Sequence, residues 1–320
     1  MKAFGKRRWQ KGIALLAAVL MMVTMIPINT VFAAEPSWPN PGSIKLNKTA
    51  TPADKVGEWE VTLTVEGKNV QRTSDVVLVI DKSGSMGGNR LANTKTAAKA
   101  FVDALQATSA SQVRIAVVTF SGRADTVIGL TGYSGKSNIK NAITNISAQG
   151  GTNIQAGIYR ARNILSGSSA SKKHIVLLGD GQPTYSYQVT GVSGNPYNTI
   201  THVDYNSRVG TGIDYSLSWR DRYDWSEFPA NNGIPTIYEA GLAKSAGNEF
   251  FSIALGAGST GESVLQSCAS SAGGHYFKIA DSESNIAGKL NAAFTEIAGN
   301  ISWAAQNAVV TDPMGPMFDY

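Results

Sequence analysis

Cysteine is nearly absent from this 320-residue chain: Cys268 is the only one, so no internal disulfide can brace the fold and the core must rest on burial. Cys268 sits in Val264-Leu265-Gln266-Ser267-Cys268-Ala269, which reads as a small buried thiol on a helix and not as a nucleophile. Histidine is scarce too. His174, His202 and His275 lack the spacing of zinc ligands, and no Gly-x-Ser-x-Gly elbow occurs, so hydrolase chemistry has no support and no enzymatic activity is expected. Gly135-Lys136-Ser137 resembles the end of a phosphate-binding loop, but the required upstream glycine is displaced by one residue to Gly129.

Basic residues outnumber acidic ones by 28 to 23, an excess that lies entirely in the first stretch. Lys2, Lys6, Arg7, Arg8 and Lys11 precede an apolar run from Ile13 to Ile26 and a small-residue cleavage site at Val31-Phe32-Ala33. These features describe a secretory signal peptide over residues 1–33, with a run shorter than the ~20 residues that span a bilayer. Without those five basic residues, 23 remain against 23 acidic. No nucleic-acid partner and no membrane association beyond the leader are expected. The rest of the chain is expected outside the cytoplasm.

From Asp75 onward, short apolar runs alternate with helical stretches. Val76–Ile80 precedes a helix over 91–105. Ile115–Phe120 and an antiparallel edge at 124–130 follow, then a helix over 153–165 and the run Ile175–Leu178. Further units are a helix at 237–246, a strand at 250–255, a short helix at 262–270, a strand at 275–279 and a terminal helix at 285–301. The alternation predicts an α/β domain with a mostly parallel central sheet and helices on both faces. Runs 76–80 and 175–178 are apolar at every position, which marks central strands covered on both sides.

Three segments depart from this pattern. Residues 34–74 include Trp59–Glu66, which alternates strictly as a half-buried strand, preceded by a β segment at 44–50. Near the chain's end Asn307–Pro313 again reads as a strand, and neither flank can bury an apolar face alone. A small β domain interrupted by the α/β domain is therefore expected, its N-terminal part at 34–74 and its incomplete return at 302–320. Ile44, Leu46 and Lys48 share parity, which points an ammonium inward unless it has a special partner or the strand ends there. Residues 182–235 form a long insertion rich in Tyr and Trp, suited either to partner contact or to packing on its own domain.

The chemistry concentrates at two strand ends. Asp81-Lys82-Ser83-Gly84-Ser85 follows the first central strand, and Gly179-Asp180-Gly181 follows the second, at the sheet edge where open α/β folds bind ligands. Between them Gly150-Gly151-Thr152-Asn153 opens a helix, with Thr152 either capping it or offering its hydroxyl to a cation. Asp81, Ser83, Ser85, Thr152 and Asp180 supply two carboxylates and three neutral hydroxyls. That set suits a hard divalent cation, Mg²⁺ or alternatively Mn²⁺ or Ca²⁺, with room for an outside carboxylate.

The motif Asp81-x-Ser83-x-Ser85 with Gly151-Thr152 and Gly179-Asp180-Gly181 resembles the metal-ion-dependent adhesion site of von Willebrand factor type A domains, over residues 75–301. The resemblance implies a Rossmann-like fold in which Ser83, Ser85 and Thr152 ligate the metal directly and Asp81 and Asp180 act often through water. A protein ligand's acidic side chain completes the shell, with host extracellular matrix or other pilus and wall subunits as the expected partners. Gly179 stands where the family usually has Thr or Ser. The inserted arm and split β domain resemble Gram-positive pilus-tip and cell-wall adhesins, which implies an extracellular, wall- or pilus-associated protein. It further implies a Lys48–Asn isopeptide bond, with the Asn beyond Tyr320 in a longer protein.

Two other readings stand beside the adhesin. One is a structural wall or pilus subunit whose metal site only stabilises the fold. The other is a dinucleotide-binding enzyme, since Gly256-x-Gly258-x-x-Gly261 lies between a strand and a helix with Asp281 twenty residues on. An expected short helix and the lack of a second mononucleotide half favour a tight strand-to-helix turn instead.

Overall fold

The computed structural model describes residues 43–52, 58–67, 73–108, 111–193, 199–220, 227–271, 273–282 and 285–302. The expected leader, the returning strand after 302 and Tyr197, Tyr223 and Trp225 of the insertion lie outside these residues. The chain divides into two compact units, Met1–Val70 and Gln71–Tyr320.

In the first unit, β1 (Ile44–Pro52) and β2 (Trp59–Gly67) form an antiparallel hairpin in which Leu46 faces Val65, Lys48 faces Leu63 and Ala50 faces Val61. The expected parity is present, but the face is not buried: Leu46, Trp59, Val61, Leu63 and Val65 are all exposed, as is Lys48. The ammonium therefore bears no desolvation cost here.

The second unit is built on a six-stranded sheet. Its strands are β3 (Ser74–Asp81), β4 (Val113–Phe120), β5 (Ala124–Thr131), β6 (Lys172–Gly179), β11 (Glu249–Leu255) and β12 (Tyr276–Ile279), in the order β12-β11-β6-β3-β4-β5. All pairings are parallel except β4 with β5. The two strands that lack alternation, β3 and β6, are the two central ones. Side chains of a strand point alternately to its two faces, so a strand covered on both sides needs apolar residues throughout. Val76, Leu78 and Ile80 enter one core layer and Val77 and Val79 the other, all fully buried.

The first layer is closed by helices α1 (Asn89–Leu105), α2 (Lys136–Thr144) and α6 (Ile286–Ser302), with Phe101 and Phe294 packed at 5.0 Å between ring centroids. The second is closed by α3 (Ile154–Ser166), α4 (Gly233–Ser245) and α5 (Ser259–Cys268). Cys268 lies fully buried in this second layer, where burial pushes its thiol up to about 12, so it holds its proton and fills space. Helix α2 was not anticipated. Its Lys136, read as the end of a failed phosphate loop, binds Asp103 at 2.9 Å and the Gln106 carbonyl at 3.0 Å.

The insertion is ordered by two hairpins: β7 (Ser186–Ser193) with β8 (Thr199–Val209), and β9 (Ser216–Arg220) with β10 (Glu227–Asn231). Register shifts between Tyr187 and Val192 break the two-residue period that would have announced β7 and β8. Part of its aromatic content packs on its own domain. Tyr205 stacks on Tyr159 of α3 at 3.9 Å, and Tyr187 meets both rings edge-on. Below them Glu239, with no exposed surface, accepts from Arg162 Nε at 2.7 Å and the Tyr205 hydroxyl at 2.8 Å.

Candidate metal centre

The site forms where parallel strands end. Asp81 is the last residue of β3 and is not on an exposed loop as its sequence position suggests; it has no accessible surface. The chain then turns out through Ser83 into a single 3-10 turn at Gly84–Met86. Asp81 Oδ1 accepts the Ser83 backbone N–H at 2.7 Å, which draws the turn back over the strand end.

A second loop is stitched to the first by backbone bonds. The Gln149 N–H donates to the Lys82 carbonyl at 2.7 Å, and the Gly84 N–H donates to the Gly150 carbonyl at 2.8 Å. Gly150 sits at φ 77, a left-handed conformation that suits glycine and lets the chain reverse into α3. The cap of α3 is Asn153, whose side chain accepts the Ala156 N–H at 3.0 Å, so capping is not the task of Thr152. Thr152 is held instead from the insertion: its N–H donates to Thr184 Oγ1 at 2.9 Å, and its carbonyl accepts from the N–H groups of Thr184 and Tyr185.

The second strand end, Asp180 after β6, closes the group. Ser85 Oγ donates to Asp180 Oδ1 at 2.9 Å. Its single proton is then committed, so in the 3.2 Å contact between Ser83 Oγ and Ser85 Oγ the donor is Ser83. On the far side Arg90 Nη1 donates to Asp180 Oδ2 at 2.5 Å, while the rest of the guanidinium holds both oxygens of Asp281, from the segment after β12. The structure thus brings Asp81, Ser83, Ser85 and Asp180 into one hydrogen-bonded cluster, and the stitched loop carries Thr152 to its edge. It adds Arg90 and Thr184, which sequence spacing did not reveal, and Asp281, which spacing offers only as the acid of a dinucleotide pattern.

Asp81 Oδ2 is buried and has no hydrogen-bond partner among the described residues. Burial, with the nearby charge of Asp180 second, pushes the Asp81 carboxyl up to about 7. An orphaned carboxylate oxygen beside a second carboxylate and two hydroxyls is the arrangement that a hard cation resolves, because the cation offsets both the repulsion and the lost hydration. No group of three or more Asp, Glu, His or Cys suited to a metal occurs among the described residues. The donor set here differs from those, with hydroxyls outnumbering carboxylates. A Cβ on Gly179 would stand 3.3 Å from Asp81 Oδ2, so the glycine leaves open the space beside the orphaned oxygen.

The glycines of the dinucleotide pattern have structural work. Gly256 lies at φ 62, and a Cβ there would meet the Asp281 carboxylate; one on Gly261 would stand 2.9 Å from the Gly181 backbone. Asp281, the acid such a pattern would offer to a ribose, is committed to Arg90.

Residues 75–201 match the family model for the von Willebrand factor type A domain. With the sheet order and strand-end site above, the match is decisive. The α/β unit is a von Willebrand factor type A domain. The chain is 29% identical over 323 residues to the minor fimbrium subunit Mfa5 of Porphyromonas gingivalis, covering 81% of this chain and 25% of that protein. The crystal structure of the pilus adhesin SpaC from Lactobacillus rhamnosus GG superposes with a TM-score of 0.67 at 25% identity, over 83% of this chain and 36% of that one. The von Willebrand factor domain of the pilus-tip protein Mfa5 superposes at 0.61 and 24% identity, over 76% and 99% of the two chains, and shares the fold. The chain thus spans about a quarter of the curated Mfa5 sequence. No helix among the described residues is long and apolar enough to cross a membrane.

Proposed function

We propose that this domain captures a protein ligand through a divalent cation held by Asp81, Ser83, Ser85, Thr152 and Asp180, and that it serves as an extracellular adhesin of the pilus-tip kind. The observation that carries the reading is the buried, unpartnered Oδ2 of Asp81 beside Asp180 and the serine hydroxyls. The similarity to pilus proteins supports the setting.

In this reading the metal, when bound, supplies a Lewis-acidic position for the ligand's carboxylate. The chain's own residues do the rest. Ser83 and Ser85 offer neutral oxygens and so leave the cation's charge largely uncompensated. Asp81 anchors the site from beneath while its Oδ1 holds the Ser83 turn. The stitched backbones of 82–84 and 149–150 keep the loops together, so little ordering is needed on binding. Mg²⁺ is the first choice, with Mn²⁺ and Ca²⁺ as alternatives, and the expected ligand is an acidic side chain of host matrix or of another pilus subunit.

Calorimetric titration of Mg²⁺ into the wild-type chain and Asp81→Ala, followed by a matrix-protein binding screen with and without EDTA, tests this. Saturable Mg²⁺ binding lost in the variant, together with EDTA-sensitive ligand binding, is the expected result. Mg²⁺ binding that changes only the melting temperature would leave a structural subunit as the function. No binding in the wild type would overturn the metal site.

A further inference from the structure

Among the large apolar side chains of the described residues, Ile213 is the most exposed, at 80%. A single exposed isoleucine is ordinary on a protein surface. Two features set this one apart. The first is rigidity: Thr211 Oγ1 accepts the N–H groups of Ile213 at 3.2 Å and Asp214 at 2.9 Å and donates to Asp214 Oδ2 at 2.9 Å. Gly210 and Gly212, at φ 102 and 85, form the turn, and the Gly212 N–H is tied to the Thr184 carbonyl at 3.2 Å. The second is position. A Cβ on Gly151 would stand 2.9 Å from the Gly212 carbonyl oxygen and 2.9 Å from the Tyr185 ring, so the turn and this ring pack directly on the residue before Thr152.

The same ring carries a cation. The Arg208 guanidinium lies 4.1 Å over the Tyr185 ring and donates to the Gly122 carbonyl at 3.0 Å. Arg208 is exposed, and among the described residues no carboxylate pairs with it. Lys82 and Arg90, two further cations near the strand ends, are paired with Asp125 and with Asp180 and Asp281, whereas Arg123, next to Gly122, is exposed like Arg208. The insertion therefore places an exposed aliphatic residue on a hydrogen-bonded turn, and an arginine without a carboxylate partner among the described residues, beside the 150–152 loop.

We propose that the 210–214 turn and Arg208 form the specificity surface of the ligand site. They recognise an acidic protein segment in which an aliphatic residue neighbours the metal-bound carboxylate and a second acid reaches Arg208. The inference rests on the metal-dependent reading above and adds what the ligand must carry. Because turn and ring are already held, covering Ile213 gains apolar burial with little loss of conformational freedom.

The test is selection from a phage-displayed peptide library with a fixed central Asp and random flanks on the intact chain, in Mg²⁺ and in EDTA, with Ile213→Ser and Arg208→Gln in parallel. Both substitutions are on the surface and outside the metal site. The expected result is Mg²⁺-dependent enrichment of an aliphatic residue beside the Asp, reduced about tenfold in Ile213→Ser, and loss of a second acid in Arg208→Gln. Dependence on Mg²⁺ and Asp without flank preference, or a preference unchanged in Ile213→Ser, would overturn the inference and leave the metal reading intact. Calorimetric Mg²⁺ binding with no Mg²⁺-dependent peptide would overturn both the inference and the ligand role.

Discussion

Arg90 and Asp180 form an ion pair across the mouth of the site, Nη1 to Oδ2 at 2.5 Å, with Asp180 buried and Arg90 held from behind by Asp281. A guanidinium there would repel an incoming cation and occupies one oxygen of a carboxylate assigned to the proposed metal site. It also ties the segment after β12, which leads into α6, to the end of β6.

Arg90→Gln is therefore expected to tighten Mg²⁺ binding, by about tenfold, equivalent to ~1.4 kcal/mol of relieved repulsion. Calorimetric titration beside the wild type measures it. Weaker binding in the variant would instead mean that Arg90 serves to orient Asp180.

The buried Asp81 carboxyl gives the metal-free protein a particular pH profile. Its folded pKa of about 7 lies above the ordinary 3.8, so over that window the folded state holds a proton the unfolded chain has released. Its contribution is thus fully present at low pH and is lost as pH rises toward and through 7. Melting temperatures in EDTA across pH 4.5 to 8 should fall more in the wild type than in Asp81→Asn, and Mg²⁺ at pH 8 should restore the wild type. Parallel profiles for the two proteins would contradict this.

Glu249 behaves oppositely. Its oxygens lie 3.0 Å from His174 Nδ1, a close approach without hydrogen-bond geometry, and 2.8 Å from His275 Nε2 in a hydrogen bond, and the two imidazoles, His174 foremost, hold its carboxyl down to about 2. A depressed acid contributes stability that is complete above its unfolded value, near 4.5, and is lost as pH falls toward 2. Glu249→Gln should flatten acid unfolding between those limits in a denaturation series followed by circular dichroism. An unchanged acid limb would show that the cluster contributes nothing.

The insertion hangs on one buried carboxylate. Glu239→Ala strips Arg162 and Tyr205 of their partner and is expected to cost roughly 3 kcal/mol, whereas Tyr205→Phe, which deletes one hydrogen bond, costs about 1 kcal/mol. Urea denaturation gives both values. Limited proteolysis should cut the β7–β8 hairpin of Glu239→Ala faster than that of the wild type; equal cutting would place the anchor elsewhere.

Much of the domain was legible beforehand, for a reason visible in β3 and β6. A strand buried on both faces must be apolar at every position, and that requirement is local, so Val76–Ile80 and Ile175–Leu178 announce central strands by themselves. The terminal helix was equally clear, because Leu290, Phe294 and Ile297 repeat at helical spacing and all enter one core layer. The β7–β8 hairpin of the insertion is not clear from sequence, since bulges interrupt its period and two of its aromatics, Tyr187 and Tyr205, pack sideways onto α3. Lys48 shows the converse: it shares its strand face with Leu46, as the alternation requires, but alternation cannot tell whether that face is covered.

By itself the sequence determined which residues could serve a cation: a carboxylate and hydroxyls on one short loop at a strand end stay close to one another whatever surrounds them. Tertiary structure alone decided how they are arranged, as it did that Asp81 is buried with an unpartnered oxygen, that Asn153 and not Thr152 caps α3, and that Gly212 packs against Gly151. Arg90 meets Asp281 across 191 positions of chain, and no periodic pattern encodes such a meeting. Periodicity reports the burial that a segment needs, whereas ion pairs and loop contacts depend on where folding brings distant segments to rest.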